Sequence, residues 1–157
     1  MVDLGCWPGS WLQLASQEVG PTGLVLGIDR VAVDPPLKLA NVVTLEGDLT
    51  DPTVAVRLLD CLGGPADVVL SDAAPKLTGI RDRDRALEEE LLCGVEALLE
   101  TLLRPQGDLL LKLLEGPEAQ EAVRRVRERF ARAKGIKVSA TRKGSSERYL
   151  LARGFRG

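Results

Sequence analysis

The sequence predicts an α/β fold with a mainly parallel sheet, because short apolar runs alternate with helical-period segments along its whole length. Two further observations point the same way. The first run, residues 1–4, breaks into a Gly/Pro turn, Gly5-Cys6-Trp7-Pro8-Gly9, and then into a helical pattern. The run at residues 24–28 is continuously apolar, as a parallel strand covered on both faces must be.

The elements follow in order. Trp11, Leu12, Leu14, Ala15 and Val19 give a helix that Gly20-Pro21 ends. The second strand, residues 24–28, runs into Asp29, and the two prolines within residues 30–40 make that segment a loop. A third strand at 41–46 closes in Gly47-Asp48, and Asp51-Pro52 opens a helix that reaches about Leu62, with proline tolerated in the first turn. A fourth strand, 66–71, ends in Ser71-Asp72-Ala73-Ala74-Pro75. The alternating charges Arg81, Asp82, Arg83 and Asp84 read as a polar loop, and a leucine-rich stripe from Leu87 to Leu102 as one face of a long helix. Pro105-Gln106-Gly107 is a turn before a fifth strand at 108–114, which contains Lys112. Val123, Val126 and Phe130 mark the core face of the next helix, which Gly135 stops; 136–140 and 148–152 then form an antiparallel pair of strands.

Composition removes several chemistries. Apolar residues make up 45% of the chain, which excludes a disordered protein, and no apolar run is long enough for a transmembrane span. The chain opens directly in a strand pattern with no signal peptide, so an element ahead of the first strand is expected to be missing and the single domain, 1–157, to be N-terminally short. There is no histidine, so Ser-His-Asp triads and His-based metal sites are out, and no metal is expected. Cys6, Cys61 and Cys93 are odd in number and widely spaced, which fits a reducing compartment. Net charge is −2, yet from Phe130 onward eight cations face one acid, Glu147, a local +7 that suits a polyanion.

The first turn is a nucleotide-type loop at the carboxyl end of a strand. It is not a dinucleotide fingerprint: G-x-G-x-x-G from Gly5 would need glycine at Trp7 and Ser10. Asp29, Asp48 and Asp72 end three strands, and Asp3 lies just before the loop. Such acids can accept from ribose hydroxyls (Asp29) and an adenine amine (Asp48), while Asp3 can orient loop N–H groups or meet an ammonium. A wall of four acids suits a cationic ligand better than a pyrophosphate.

The loop D-L-G-x-x-P-G-x-W, then Ser71-Asp72-Ala73-Ala74-Pro75, Leu110-Leu111-Lys112 and Ser145-Ser146-Glu147-Arg148-Tyr149, resemble in order and spacing the FtsJ/RrmJ family of RNA ribose 2′-O-methyltransferases. The likeness covers essentially the whole chain. Thr78-Gly79-Ile80-Arg81-Asp82 and Arg142-Lys143-Gly144-Ser145-Ser146-Glu147 look like its bacterial and mitochondrial large-subunit ribosomal RNA members, which act on a uridine. The resemblance implies a Rossmann-like methyltransferase fold, with seven strands, an antiparallel last strand and helices on both faces. S-adenosylmethionine (SAM) is the implied cofactor, with contacts falling on Gly9, Trp11, Asp29, Asp48 and Asp72, beside Gly5 and Asp3. Of the family's Lys-Asp-Lys-Glu tetrad, three members fall on Asp72, Lys112 and Glu147; the first lysine lies upstream of the SAM loop in the family. Lys76 stands where the family commonly has asparagine. Arg142, Lys143 and Arg148 surround the Glu147 position and can reach RNA phosphates.

These residue types fit in-line methyl transfer, where alignment does much of the work and a nearby base helps a weakly acidic ribose hydroxyl. Neighbouring carboxylates make a lysine hold its proton more tightly, so the expectation is a SAM-binding chain that is catalytically weak or inactive without the upstream lysine. The implied partner is ribosomal RNA or the large ribosomal subunit, with no membrane, in a monomer of the bacterial cytoplasm or the mitochondrial matrix. The alternative is a noncatalytic SAM- or RNA-binding module of the same fold.

Overall fold

The fold is described from a computed structural model, for residues 1–136 and 147–157. Eleven elements follow one another among them: β1 (Val2–Leu4), α1 (Ser10–Val19), β2 (Val25–Asp29), β3 (Val42–Glu46), α2 (Thr53–Leu62), β4 (Ala66–Ser71), α3 (Arg81–Leu102), β5 (Leu103–Leu114), α4 (Pro117–Arg129), β6 (Phe130–Ile136) and β7 (Glu147–Phe155). The strands form one sheet in the order β3-β2-β1-β4-β5-β7-β6. Pairings from β3 across to β5 are parallel, and β7 runs antiparallel to both β5 and β6. From β1 the chain first winds through β2 to β3 and then crosses back to β4 on the other side of β1. Strand order reverses between β1 and β4, and in open α/β sheets ligands bind at the carboxyl ends beside such a reversal.

Burial explains the layers. Val2, Leu4, Leu26, Ile28, Val69, Leu109 and Leu111 are buried against α2, α3 and α4 through Val54, Leu58, Leu92, Val95, Leu99, Ala122 and Val126. A smaller cluster of Cys6, Leu12, Ala15, Val25 and Val33 packs α1 and the loop after β2 on the other face. Glycines set several boundaries: α1 starts after Gly9 (φ 105°) and ends at Gly20 (φ 70°), and α2 ends at Gly63 (φ 72°), whose N–H donates to the Leu59 carbonyl.

Three elements differ from the sequence reading. Phe130 does not lie within a helix: it caps α4, its N–H donating to the Val126 carbonyl, and opens β6 opposite Phe155, with the two rings 5.1 Å apart between centroids. The helical spacing of Val123, Val126 and Phe130 is satisfied equally by a strand that starts straight after a helix, and Gly135 sits inside β6 opposite Leu150. The charged stretch 81–84 is the first turn of α3 rather than loop, with Asp82 and Asp84 at the positive end of the helix dipole. The Pro105-Gln106-Gly107 turn survives as a kink within β5: Gln106 has φ 65°, and pairing with β4 shifts register between Ala66 and Val68. Among the described residues no helix is long and apolar enough to cross a membrane.

Candidate active site

The loops after β1 and β4 meet across the reversal, and only glycine lets them. Gly5 has φ 83°, and a Cβ there would lie 2.6 Å from the Ala73 Cα and 2.7 Å from its nitrogen. Both the Gly5 and Cys6 N–H groups donate to the Ile28 carbonyl, so the loop is tied to β2. Beyond this contact opens a cavity of about 310 Å³ lined by Gly5, Trp7, Asp29, Asp48, Asp72 and Lys76, among others. Its size is at the lower end for small-molecule sites.

Each acid has a distinct setting. Asp29 accepts from the Trp7 N–H and the Val31 N–H, both at 3.0 Å, which fixes its carboxylate between two loops. Asp48 accepts from Arg30 Nη2 at 2.7 Å through one oxygen and from the Thr50 N–H and hydroxyl through the other. The Arg30 bond, with those of Thr50, lowers its carboxyl to about 2. Asp3 is completely buried, and neither carboxylate oxygen has a hydrogen-bond partner. Burial raises its carboxyl to about 7, helped by the charges of Asp72 and Asp29. Of the two roles expected for Asp3, orienting loop N–H groups is corrected: those donors go to the Ile28 carbonyl. What remains is an unsatisfied buried acid that feels the charges of Asp72 and Asp29 in the cavity wall, an arrangement that a cation held near them would relieve.

Beside the cavity lies a second cluster. Strand alternation sends Leu109, Leu111 and Leu113 of β5 into the core and turns Lys112 to the opposite face. Lys112 is nevertheless only 9% exposed, and its Nζ stands 3.2 Å from Asp72 Oδ1. The same oxygen accepts from the Tyr149 hydroxyl at 2.9 Å. Lys112 and Tyr149 are direct partners across the β5–β7 pairing, so the register delivers both to Asp72. Burial, the Asp72 bond and the Asp72 and Glu147 charges push the Tyr149 phenol well above its ordinary range, so it stays a donor. The ammonium of a buried lysine needs such a partner, since an uncompensated one costs several kcal/mol by order of magnitude.

Glu147 is half-buried at the start of β7, opposite Leu114, and its charge acts on Tyr149. The structure thus brings Asp72, Lys112 and Glu147 to one corner. Trp11, on α1, stacks at a tilt on Tyr149 with centroids 5.7 Å apart, and lines a separate apolar groove with Leu14, Leu70 and Leu110. Gly9 packs against Val33 and Leu37 rather than the cavity: a Cβ there would come within 3.3 Å of both side chains. Arg148 is exposed and ion-paired with Glu115. Arg142 and Lys143 lie outside the described residues. Sequence reasoning did not place Tyr149 or Arg30 in the site. Tyr149 had a signal, being two residues from Glu147 and so on the same strand face; Arg30 had only its place next to Asp29.

Residues 1–155 match the FtsJ-like methyltransferase family. The chain is 38% identical over its whole length to ribosomal RNA large subunit methyltransferase E of Methanothermobacter thermautotrophicus, of which it covers 74%. It is 42% identical over 96% of its length to the enzyme of the same name from Syntrophobacter fumaroxidans, covering 76% of it. Against the enzyme of that name from Pseudomonas aeruginosa PAO1 it is 37% identical over its whole length, covering 75%. A ribosomal RNA methyltransferase structure from Plasmodium falciparum superposes with a TM-score of 0.84 at 24% identity, over 99% of this chain and 86% of that one. A chain of a fibrillarin/Nop5p complex gives 0.73 at 14% identity, over 98% and 71%, and both likenesses speak to the fold. The sheet is that of a Rossmann-like methyltransferase, and the chain belongs to the FtsJ-like methyltransferase family.

Proposed function

We propose that this methyltransferase transfers the methyl group of SAM to a ribose 2′-oxygen of RNA, in a uridine of large-subunit ribosomal RNA. The observation that carries the chemistry is Lys112, a lysine held almost out of water on a central strand and paired with Asp72. The observation that carries the ligand is the cavity lined by Asp29, Asp48 and Asp72, with the buried, unpartnered Asp3 carboxylate close enough to feel the charges of Asp72 and Asp29. The residues present fit SAM, which has two cationic centres: Asp29 would hold the ribose hydroxyls, Asp48 the adenine amine, and the Asp3–Asp72 side the methionine end. SAM, when bound, supplies an activated methyl group.

The chain's own residues do the rest. The Gly5–Ala73 contact sets the distance between the cofactor loop and the Asp72 loop. Asp72, itself held by the Tyr149 hydroxyl, fixes the Lys112 side chain, so that its Nζ aligns the target hydroxyl for in-line transfer. Glu147 adds its charge to the same corner. Arg132 and Lys134 of β6, on the sheet face that carries Tyr149, offer phosphates a path towards this corner, consistent with relatives named for ribosomal RNA. The test is methyl transfer from labelled SAM to large-subunit ribosomal RNA lacking the modification, followed by nucleoside analysis. Lys112→Met should lower the rate by about 100-fold or more while keeping SAM affinity within a few-fold. A methylated base instead of a methylated ribose, or full activity in Lys112→Met, would refute the assignment.

A further inference from the structure

Seven large apolar side chains are exposed among the described residues, and Trp7 is the one aromatic in that group, at 55% exposure. It is also the one that lines the acid-walled cavity. A half-wet indole is unusual in a chain with two tryptophans in all, and its sister Trp11 is engaged with Tyr149. The backbone beneath Trp7 is held on both sides. Its own N–H donates to Asp29 Oδ2 at 3.0 Å, and the Gly9 N–H two residues on donates to the Cys6 carbonyl at 2.7 Å. The ring is therefore carried on a fixed stem, one hydrogen bond from the carboxylate read as the ribose acceptor, with its face free.

We propose that the Trp7 indole is the outer wall of the adenosine half of the cofactor site, closing over the nucleoside that Asp29 and Asp48 hold from within. The proposal rests on the SAM reading above. The physics is that of a flat apolar lid over a flat ligand. Burying the indole face removes apolar surface from water, and excluding water strengthens the Asp29 hydrogen bonds to the ribose. An RNA base is the other flat ligand, but the position next to Asp29, Arg30 and Asp48 places Trp7 on the nucleoside side. Lys112 and Tyr149 occupy the other.

The test titrates the whole chain with SAM, with adenosine and with an RNA oligonucleotide, read by calorimetry and by intrinsic fluorescence. In the parent, SAM and adenosine each shift and quench tryptophan emission saturably. Trp7→Ala weakens both ligands by about tenfold, and Trp7→Phe restores affinity to within about threefold while losing most of the fluorescence response. Trp7 is exposed, so both variants fold, which circular dichroism checks. Trp7→Ala binding SAM within twofold of the parent overturns the proposal and leaves the SAM reading intact. So does an emission change that follows the oligonucleotide and not SAM. A parent that does not bind SAM at all overturns the cofactor reading, and this proposal with it.

Discussion

Replacing Asp3 with asparagine should stabilise the protein at pH 8 and lose that advantage as the pH falls. The folded-state carboxyl is raised from 3.8 to about 7, first by burial and then by the charges of Asp72 and Asp29. Below pH 3.8 the group is protonated in folded and unfolded chains alike and contributes nothing. Between 3.8 and about 7 the unfolded chain is ionised while the folded one keeps its proton, so stability falls as pH rises. At about 1.36 kcal/mol per tenfold, the full cost above pH 7 is on the order of 4 kcal/mol. Between pH 5 and pH 8 the stability of Asp3→Asn relative to the parent should therefore grow by about 3 kcal/mol. Urea unfolding of both proteins at the two pH values measures this, and the difference between them cancels any pH-independent cost of burying an amide. A cationic ligand held at Asp72 and Asp29, whose charges reach Asp3, should also draw the proton off it. Calorimetry in buffers of different ionisation enthalpy near pH 6.5 should then show proton release on SAM binding in the parent and much less in the variant. An advantage that stays flat from pH 5 to pH 8 would refute the reasoning.

Gly5→Ala puts a Cβ 2.6 Å from backbone at a positive φ, and should cost about 1–3 kcal/mol of stability together with most of the SAM affinity, read by thermal unfolding and calorimetry. Arg30→Met frees one oxygen of Asp48. Its carboxyl should rise from about 2 towards the ordinary range in a carbon NMR titration, while stability changes by less than about 1 kcal/mol because the pair is exposed. Phe130→Ala removes a ring that packs on Phe155 at the end of the sheet and should cost about 3–5 kcal/mol in denaturant unfolding. An unchanged midpoint there would refute its place in the core.

Much of the fold was legible because strand ends announce themselves. Asp29 and Ser71 close β2 and β4 as read, with Asp72 next in line, and Gly20 and Gly63 stop their helices. The corner around Asp72 was legible through Lys112, since a charge in a leucine run has no place in a core without a partner. Boundaries set by tertiary contacts were not legible. Phe130 fits a helix stripe and a strand equally, and only the Phe155 ring decides. The charges at 81–84 look like loop until the helix dipole and the Asp84 bonds to Thr78 and Gly79 are present. Asp3 could be placed at the cofactor loop but not be seen to lack a donor, because the donors it was expected to hold belong to a carbonyl 25 residues further on.

The insertion of β7 between β5 and β6 also orders events in time. The chain completes β5, α4 and β6 before it reaches β7, yet β6 joins the sheet only through β7. Until that last strand slides in, Lys112 sits at an open edge and Asp72 lacks the Tyr149 hydroxyl, which comes from 77 residues away. Contacts of such sequence separation form slowly. The corner that joins Asp72, Lys112 and Tyr149 is therefore complete only once β7 has paired with β5.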